Sequence, residues 1–279
     1  MQQLSATACK IIPFRTIFCA LVTGILLLST SAISADGDTL ANIKKTGILR
    51  VATVAANAPW ESIKPDGTFE GYDIDIAQLL SKQLGVKVQY IRTDIAGRVA
   101  SLQTHKADVT IAVFTPTPER LMVVSFSTPY MMDGVQLLTR VDSPYKEVKS
   151  FDREDVTIGI TRGSTTGKVI ETELPKAKMS EFAGQADLIG ALESKQVSAV
   201  AANNGLISLV AKSGSGNFVT VSPLLHTEPD AIGAAKGDDD WLKLLNNFVN
   251  QINSDGTNYV LAKKWFGTEP PVFVKAPTK

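Results

Sequence analysis

Cysteine is nearly absent from this chain. Among its 279 residues there are 2, Cys9 and Cys19, and none follows them. A disulfide framework, a thiolate metal centre and a cysteine nucleophile are therefore excluded beyond residue 19. Histidine is as scarce: His105 and His226 are the 2 present, and their separation fits no zinc or other metal site. After residue 35 no stretch approaches the ~18 uninterrupted apolar residues of a membrane-spanning helix. An excess of one charge is missing as well, with 28 basic and 28 acidic residues, so nucleic acid is not an expected partner. Nothing in these features calls for a metal or another cofactor.

The first 35 residues depart from that balance. They contain no acidic residue; Lys10 and Arg15 precede an apolar run from Ile17 to Leu28, and small residues fill Ser29 to Ala35. That is the layout of a secretory signal peptide, too short to span a bilayer and expected to be cleaved near Ala35. Cleavage of the 279-residue chain would leave about 244 residues, ample for a large core, and a formal charge near −2.

Beyond the leader the pattern alternates β and α. A short helix around Thr39 to Lys45 precedes a strand from Ile48 to Val54, and Gly67 marks a turn. Ile76, Leu79, Leu80 and Leu84 recur at helical spacing, with Asp73 or Asp75 as N-terminal cap and Gly85 as left-handed stop. Strands are predicted at Val86 to Tyr90 and Val109 to Val113, with a helix at Gly97 to Thr104 between them and a short helix opened by Thr117-Pro118 after them. A strand from Gly134 to Val141 leads into a polar, irregular stretch. From Val156 the pattern restarts: strand 156–160, helices 167–174 and 187–194, strand 199–202, helix 205–212. Strand 218–221, the segment His226 to Ala235 and two closing helices, 239–253 and 257–265, complete it. Such alternation predicts α/β layers around mostly parallel sheets, in two units.

Five phrases in order carry a resemblance: "GILRVAT", "APWESIKPDGTFEGYDIDIAQLLSKQLGVKV", "SLQTHKADVTIAVFTPTPERLMVVSFSTPY", "VTIGITRGSTTG" and "SDGTNYVLAKKWFG". Together they resemble the bacterial extracellular solute-binding proteins of the polar amino-acid type, over about residues 40 to 268. The resemblance implies a two-lobed α/β fold of the periplasmic-binding-protein type (type II), with ligand held in the cleft between lobes. Residues 36–131 and 229–279 would build a discontinuous first lobe and 132–228 the second. The crossovers would fall near Tyr130 to Gly134 and His226 to Ala231. The implied role is capture of an amino acid or related carboxylate-bearing solute by a periplasmic monomer that delivers it to an ABC transporter permease in the inner membrane.

The candidate ligand-binding residues follow from both lines. Arg120 sits in the first turn of a short helix at the carboxyl end of a buried strand, where open α/β sheets place ligands, and its planar fork of donors matches a carboxylate. In the family the arginine of this phrase grips the ligand's α-carboxylate. Thr115 ends the strand before that turn, and Val113 would offer main-chain groups. Gly163-Ser164-Thr165-Thr166 opens a helix and presents free N–H groups; the resemblance places Thr165 on the same carboxylate, while helix capping by Ser164 or Thr165 explains the turn equally well. Many relatives carry an aspartate for the ligand's ammonium where this chain has Asn203, so another acid, Glu61 or Asp133, must supply that charge or the ligand lacks it. Asn204 is the simple helix-cap alternative. Asn57 and Trp60 lie in the loop after the first strand, where relatives flank the ligand; Trp60 is equally a core residue. Arg98 is placed to reach the cleft or to face solvent, and Tyr72 and Phe114 are expected to pack. No catalytic group is assigned. The alternatives are a periplasmic dehydratase on the same fold and a receptor serving a membrane sensor.

Overall fold

The computed structural model describes residues 38–213, 216–268 and 273–276. The predicted signal peptide and both cysteines lie outside the described residues.

The elements run α1 (Thr39–Thr46), β1 (Ile48–Thr53), β2 (Ser62–Ile63), β3 (Phe69–Glu70), α2 (Tyr72–Leu84), β4 (Lys87–Arg92), α3 (Arg98–Gln103), β5 (Val109–Thr110), α4 (Pro118–Leu121) and β6 (Val124–Arg140). A 3-10 turn at Val148–Phe151 leads to β7 (Thr157–Thr161), α5 (Thr166–Glu173), β8 (Lys178–Phe182), α6 (Gln185–Glu193), β9 (Ala199–Asn203), α7 (Asn204–Ser213), β10 (Phe218–Ala235), α8 (Asp239–Ser254) and α9 (Thr257–Phe266). Local chemistry accounts for the helix ends. The Asp38 carboxylate accepts from the Ala41 N–H at the start of α1, and Asp238 accepts from the Trp241 N–H at the start of α8. Gly85 closes α2 at φ 70°, a conformation that suits a residue without a Cβ.

The predicted cap of α2 is wrong. Gly71 holds that position without a side-chain bond, and Asp73 is turned into the core. There its carboxylate accepts from the Val113 N–H at 2.8 Å and the Tyr130 hydroxyl at 2.8 Å. Burial raises its pKa to about 6 against those two donors.

All strands but β2 and β3 join one eight-stranded sheet in the order β4-β1-β5-β10-β6-β9-β7-β8. β1 is parallel to β4 and β5, and β7 is parallel to β8 and β9, as the βαβ pattern predicts. β6 and β10 are antiparallel to each other and to their outer neighbours. They are also far longer than the sequence suggests, because the expected crossover segments pair with each other: β6 starts well before the strand read from Gly134, and β10 joins strand 218–221 to the segment His226 to Ala235. Thr227, Glu228, Pro229 and Asp230 stand opposite Gly134, Asp133, Met132 and Met131. β8 went unpredicted: it is an edge strand with side chains mostly out of the core, so burial imposes no apolar alternation on it.

The apolar residues collect on either side of this central pair. One cluster gathers Leu49, Val51, Tyr72, Leu80, Trp241 and Phe248. Two others, around Leu137, Ile158 and Ile170 and around Leu188, Val200 and Ile207, cover the two faces of the β7 and β9 region. The result is the two-lobed type II architecture, an α/β fold with a pair of antiparallel strands running through its middle.

Candidate functional site

A narrow cavity opens where the carboxyl ends of β1 and β5 face the start of α5 and the end of β9. It is lined by Asn57, Arg98, Val113, Thr115, Arg120, Ser164, Thr165 and Asn203, together with Asp133, Glu228 and Asp230 among others. Its volume, counted as space open to the centres of water molecules, is about 50 Å³. Trp60 and Glu61, the other two candidates, do not border it.

Arg120 spans the gap. Thr117 caps α4 by accepting from the Arg120 N–H at 3.3 Å, which fixes where the side chain starts. One guanidinium nitrogen donates to the Thr115 carbonyl at 2.7 Å and another to the Gly163 carbonyl, across the cavity, at 3.0 Å. Gly163 adopts φ 77°, and a Cβ there would lie 2.6 Å from the Ala96 Cα, so the chain can approach this closely only without a side chain. Arg98 is buried and donates to the carbonyls of Ile95, Ala112 and Val113 at 2.9, 2.8 and 2.6 Å. Val113 sits at φ 47°, which turns its carbonyl toward that guanidinium and its N–H toward Asp73. Both guanidinium carbons lie 4.9 Å from the Phe114 ring centre, a cation–π arrangement about a fully buried ring. Burial, then the neighbouring Arg120, lowers the Arg98 pKa to about 9.

The threonines meet a group the sequence did not single out. The Thr115 hydroxyl donates to Glu228 Oε2 at 3.1 Å, and the Thr165 hydroxyl donates to the same oxygen from the opposite wall. A carboxylate of the protein itself thus rests between the two hydroxyls expected to meet a ligand's carboxylate. Thr165 makes no capping bond to α5, and the Ser164 hydroxyl donates to the Thr161 carbonyl at 2.6 Å, so the capping alternative fails for both.

Asn203 is engaged on every side. Its Oδ1 accepts from the Trp60 indole N–H at 3.1 Å and the Leu206 N–H at 2.8 Å, and its Nδ2 donates to Asn57 Oδ1 at 3.0 Å. The Leu206 contact makes Asn203, not Asn204, the cap of α7; Asn204 Oδ1 accepts from the Gly134 N–H. Trp60 is a core residue, 2 % exposed and packed edge-on to Tyr72 at 5.5 Å and against Phe266 at 4.6 Å. Glu61 is wholly buried with neither oxygen hydrogen-bonded, and burial, reinforced by Asp73, pushes its pKa well above the carboxylate range. Glu228 and Asp230 escaped the sequence reading. The spacing Glu228-Pro229-Asp230 puts two acids on one face ahead of the apolar run Ala231 to Ala235, and that was the available signal.

A two-lobed α/β fold whose paired central strands border a charged cavity defines the class of binding proteins that close over small solutes. The chain belongs to the bacterial extracellular solute-binding proteins, family 3, whose family model matches residues 49–268. Among curated relatives, the L-cystine-binding protein TcyJ of Escherichia coli K12 is 27% identical over 251 residues, covering 90% of this chain and 92% of that protein. The ABC transporter glutamine-binding protein GlnH of Bacillus subtilis is 30% identical, covering 73% and 75%. Among solved structures, the ancestral amino acid-binding protein AncCDT-1, described as a precursor of cyclohexadienyl dehydratase, is 34% identical with a TM-score of 0.76, covering 82% of this chain and 99% of its own. A mutant of the arginine-binding protein ArgBP of T. maritima is 29% identical with a TM-score of 0.75, covering 82% and 100%.

Proposed function

We propose that the chain captures an amino acid or closely related carboxylate-bearing solute and hands it to an ABC importer. The observation that carries this reading is the convergence of the Thr115 and Thr165 hydroxyls, from opposite walls, on one position that already holds a carboxylate, that of Glu228, while the Arg120 guanidinium bridges the same walls through the Thr115 and Gly163 carbonyls. A ligand carboxylate would take that position and draw on the same donors. The apolar clusters support lobes of residues 36–131 with 229–279 and of 132–228, hinged where β6 and β10 pair. On this reading the walls part to admit the solute and close again over it. Export would follow from the leader, cleaved near Ala35, and the protein would work as a periplasmic monomer.

A thermal-shift screen against amino acids, opines, compatible solutes and keto acids tests the reading. At least one carboxylate-bearing solute should raise the melting temperature, and small-angle scattering should show a contraction when it is added. Stabilisation confined to solutes without a carboxylate would count against it.

Asp133 gives a dehydratase reading some footing. Burial pushes its pKa up to about 8, so at neutral pH it keeps a proton that a general acid could donate. With prephenate as substrate the pure protein is expected to give no turnover; measurable loss of water from it would establish the enzyme instead.

A further inference from the structure

Asp133 on β6 stands directly opposite Glu228 on β10, and Asp230 lies two residues further along β10. Residues two apart on a strand share a face, and like charges set opposite each other across a ladder repel. All three border the cavity. In a confined space such a trio, when ionised, is destabilising unless positive charge offsets it, and otherwise takes up protons.

The local cations do not supply that charge by contact. The Arg98 and Arg120 guanidiniums are committed to backbone carbonyls. Glu228 Oε2 is held by the two threonine hydroxyls. Asp133 Oδ1 accepts from the Gly134 N–H at 2.7 Å. Asp230 is the least satisfied of the three: its side chain is 0 % accessible, and neither oxygen has a hydrogen-bond partner.

We propose that Asp133 and Asp230 form the subsite for a cationic nitrogen of the ligand, so that the cavity takes an amino acid and rejects the corresponding oxo acid. The proposal rests on the carboxylate site read above and completes it with the opposite charge. Asn203, the position where relatives carry an aspartate, cannot serve, because its amide oxygen already accepts two N–H groups and its nitrogen donates to Asn57.

Protonation supports the assignment. Burial raises the Asp133 pKa to about 8 and, with Asp133, Asp73 and Glu228 beside it, carries Asp230 well above the carboxylate range. Arg98 from α3 opposes this, Arg120 from α4 faces Asp230 as well, and the Tyr72 and Tyr130 hydroxyls lie within its field. The Gly134 and Asn204 main chain faces Asp133. At pH 7 the ligand-free Asp133 therefore holds its proton, and Asp230 is pushed in the same direction. An ammonium or guanidinium set against the pair favours the anions, so binding expels protons, and affinity rises with pH until Asp133 ionises unaided near 8.

The test is calorimetry at pH 7, in two buffers of different ionisation heat, with the twenty common L-amino acids, L-cystine and their 2-oxo acids. The tightest-binding amino acid should bind with net proton release, and its oxo acid should bind at least tenfold more weakly. Asp230→Asn should weaken that amino acid tenfold or more and reduce the proton release, without lowering the melting temperature; Asp133→Asn should act the same way. If both variants keep wild-type affinity and proton release, the subsite is refuted while the carboxylate site stands. Equal or tighter binding of an oxo acid likewise refutes the subsite alone. If no compound of the set binds, the subsite is refuted, and the carboxylate reading is decided by the wider thermal-shift screen.

Discussion

Replacing Arg120 by alanine is expected to weaken ligand capture by roughly 2–5 kcal/mol, about 30-fold to several thousand-fold in Kd. The size follows from what remains. A ligand carboxylate drawn into the cavity would keep the Thr115 and Thr165 hydroxyls but lose the guanidinium that bridges the two walls, which would turn from the Thr115 and Gly163 carbonyls to grip it; Arg98 is buried and held by three carbonyls. Stability should change little by comparison. Arg120 is partly exposed in a four-residue helix, and what its removal leaves bare is two carbonyl oxygens beside water-accessible space. Calorimetry with a solute that stabilises the wild-type protein checks the affinity, and a thermal melt checks the fold. Wild-type affinity in the variant would rule out the carboxylate site. Arg120→Lys adds a finer readout: it keeps the charge but not the planar fork, so it should recover part of the affinity and no more.

Trp60→Ala should cost about 3–5 kcal/mol of stability, the range for deleting a large buried aromatic whose surroundings relax only in part. The indole is enclosed by Tyr72 and Phe266, and its N–H reaches Asn203 at the end of β9. In a protein of this length that loss should lower the melting temperature by on the order of 10 °C. Trp60→Phe separates packing from the hydrogen bond. It keeps most of the apolar volume and removes the indole donor, while Asn203 Oδ1 still accepts from Leu206, so the cost should be nearer ~1 kcal/mol. If instead Trp60→Ala leaves the melting temperature unchanged and chiefly weakens binding, Trp60 stacks on ligand rather than on the core.

That ambiguity over Trp60 shows where sequence reasoning runs out. A tryptophan after Asn57-Ala58-Pro59 has the same local signature whether it flanks a ligand or fills a core; only the positions of Tyr72 and Phe266, fixed by α2 and α9, decide between them. Features set by neighbours in sequence were legible. The 3.6-residue period of Ile76, Leu79, Leu80 and Leu84, the left-handed Gly85, and the strand-turn-helix placement of Arg120 and Thr165 all needed nothing beyond a few adjacent residues. Features set by pairing at a distance were not. The lengths of β6 and β10 depend on a register between residues about a hundred apart, broken by bulges near Val221 and Ala231. Only that register brings Asp133 opposite Glu228, so the acids looked unrelated in sequence. Asp73 likewise read as a cap because nothing local announces Tyr130 or the left-handed Val113 as its partners.

The bare backbone of Gly163 against Ala96 has one more consequence. With 2.6 Å between the Ala96 Cα and where a Cβ would sit, the two walls meet with less clearance than the width of a methyl group. Any side chain at position 163 would act as a doorstop, holding the jaws ajar while leaving Arg120, Thr115 and Thr165 chemically intact, so the grip on a solute is set at this point by thickness alone.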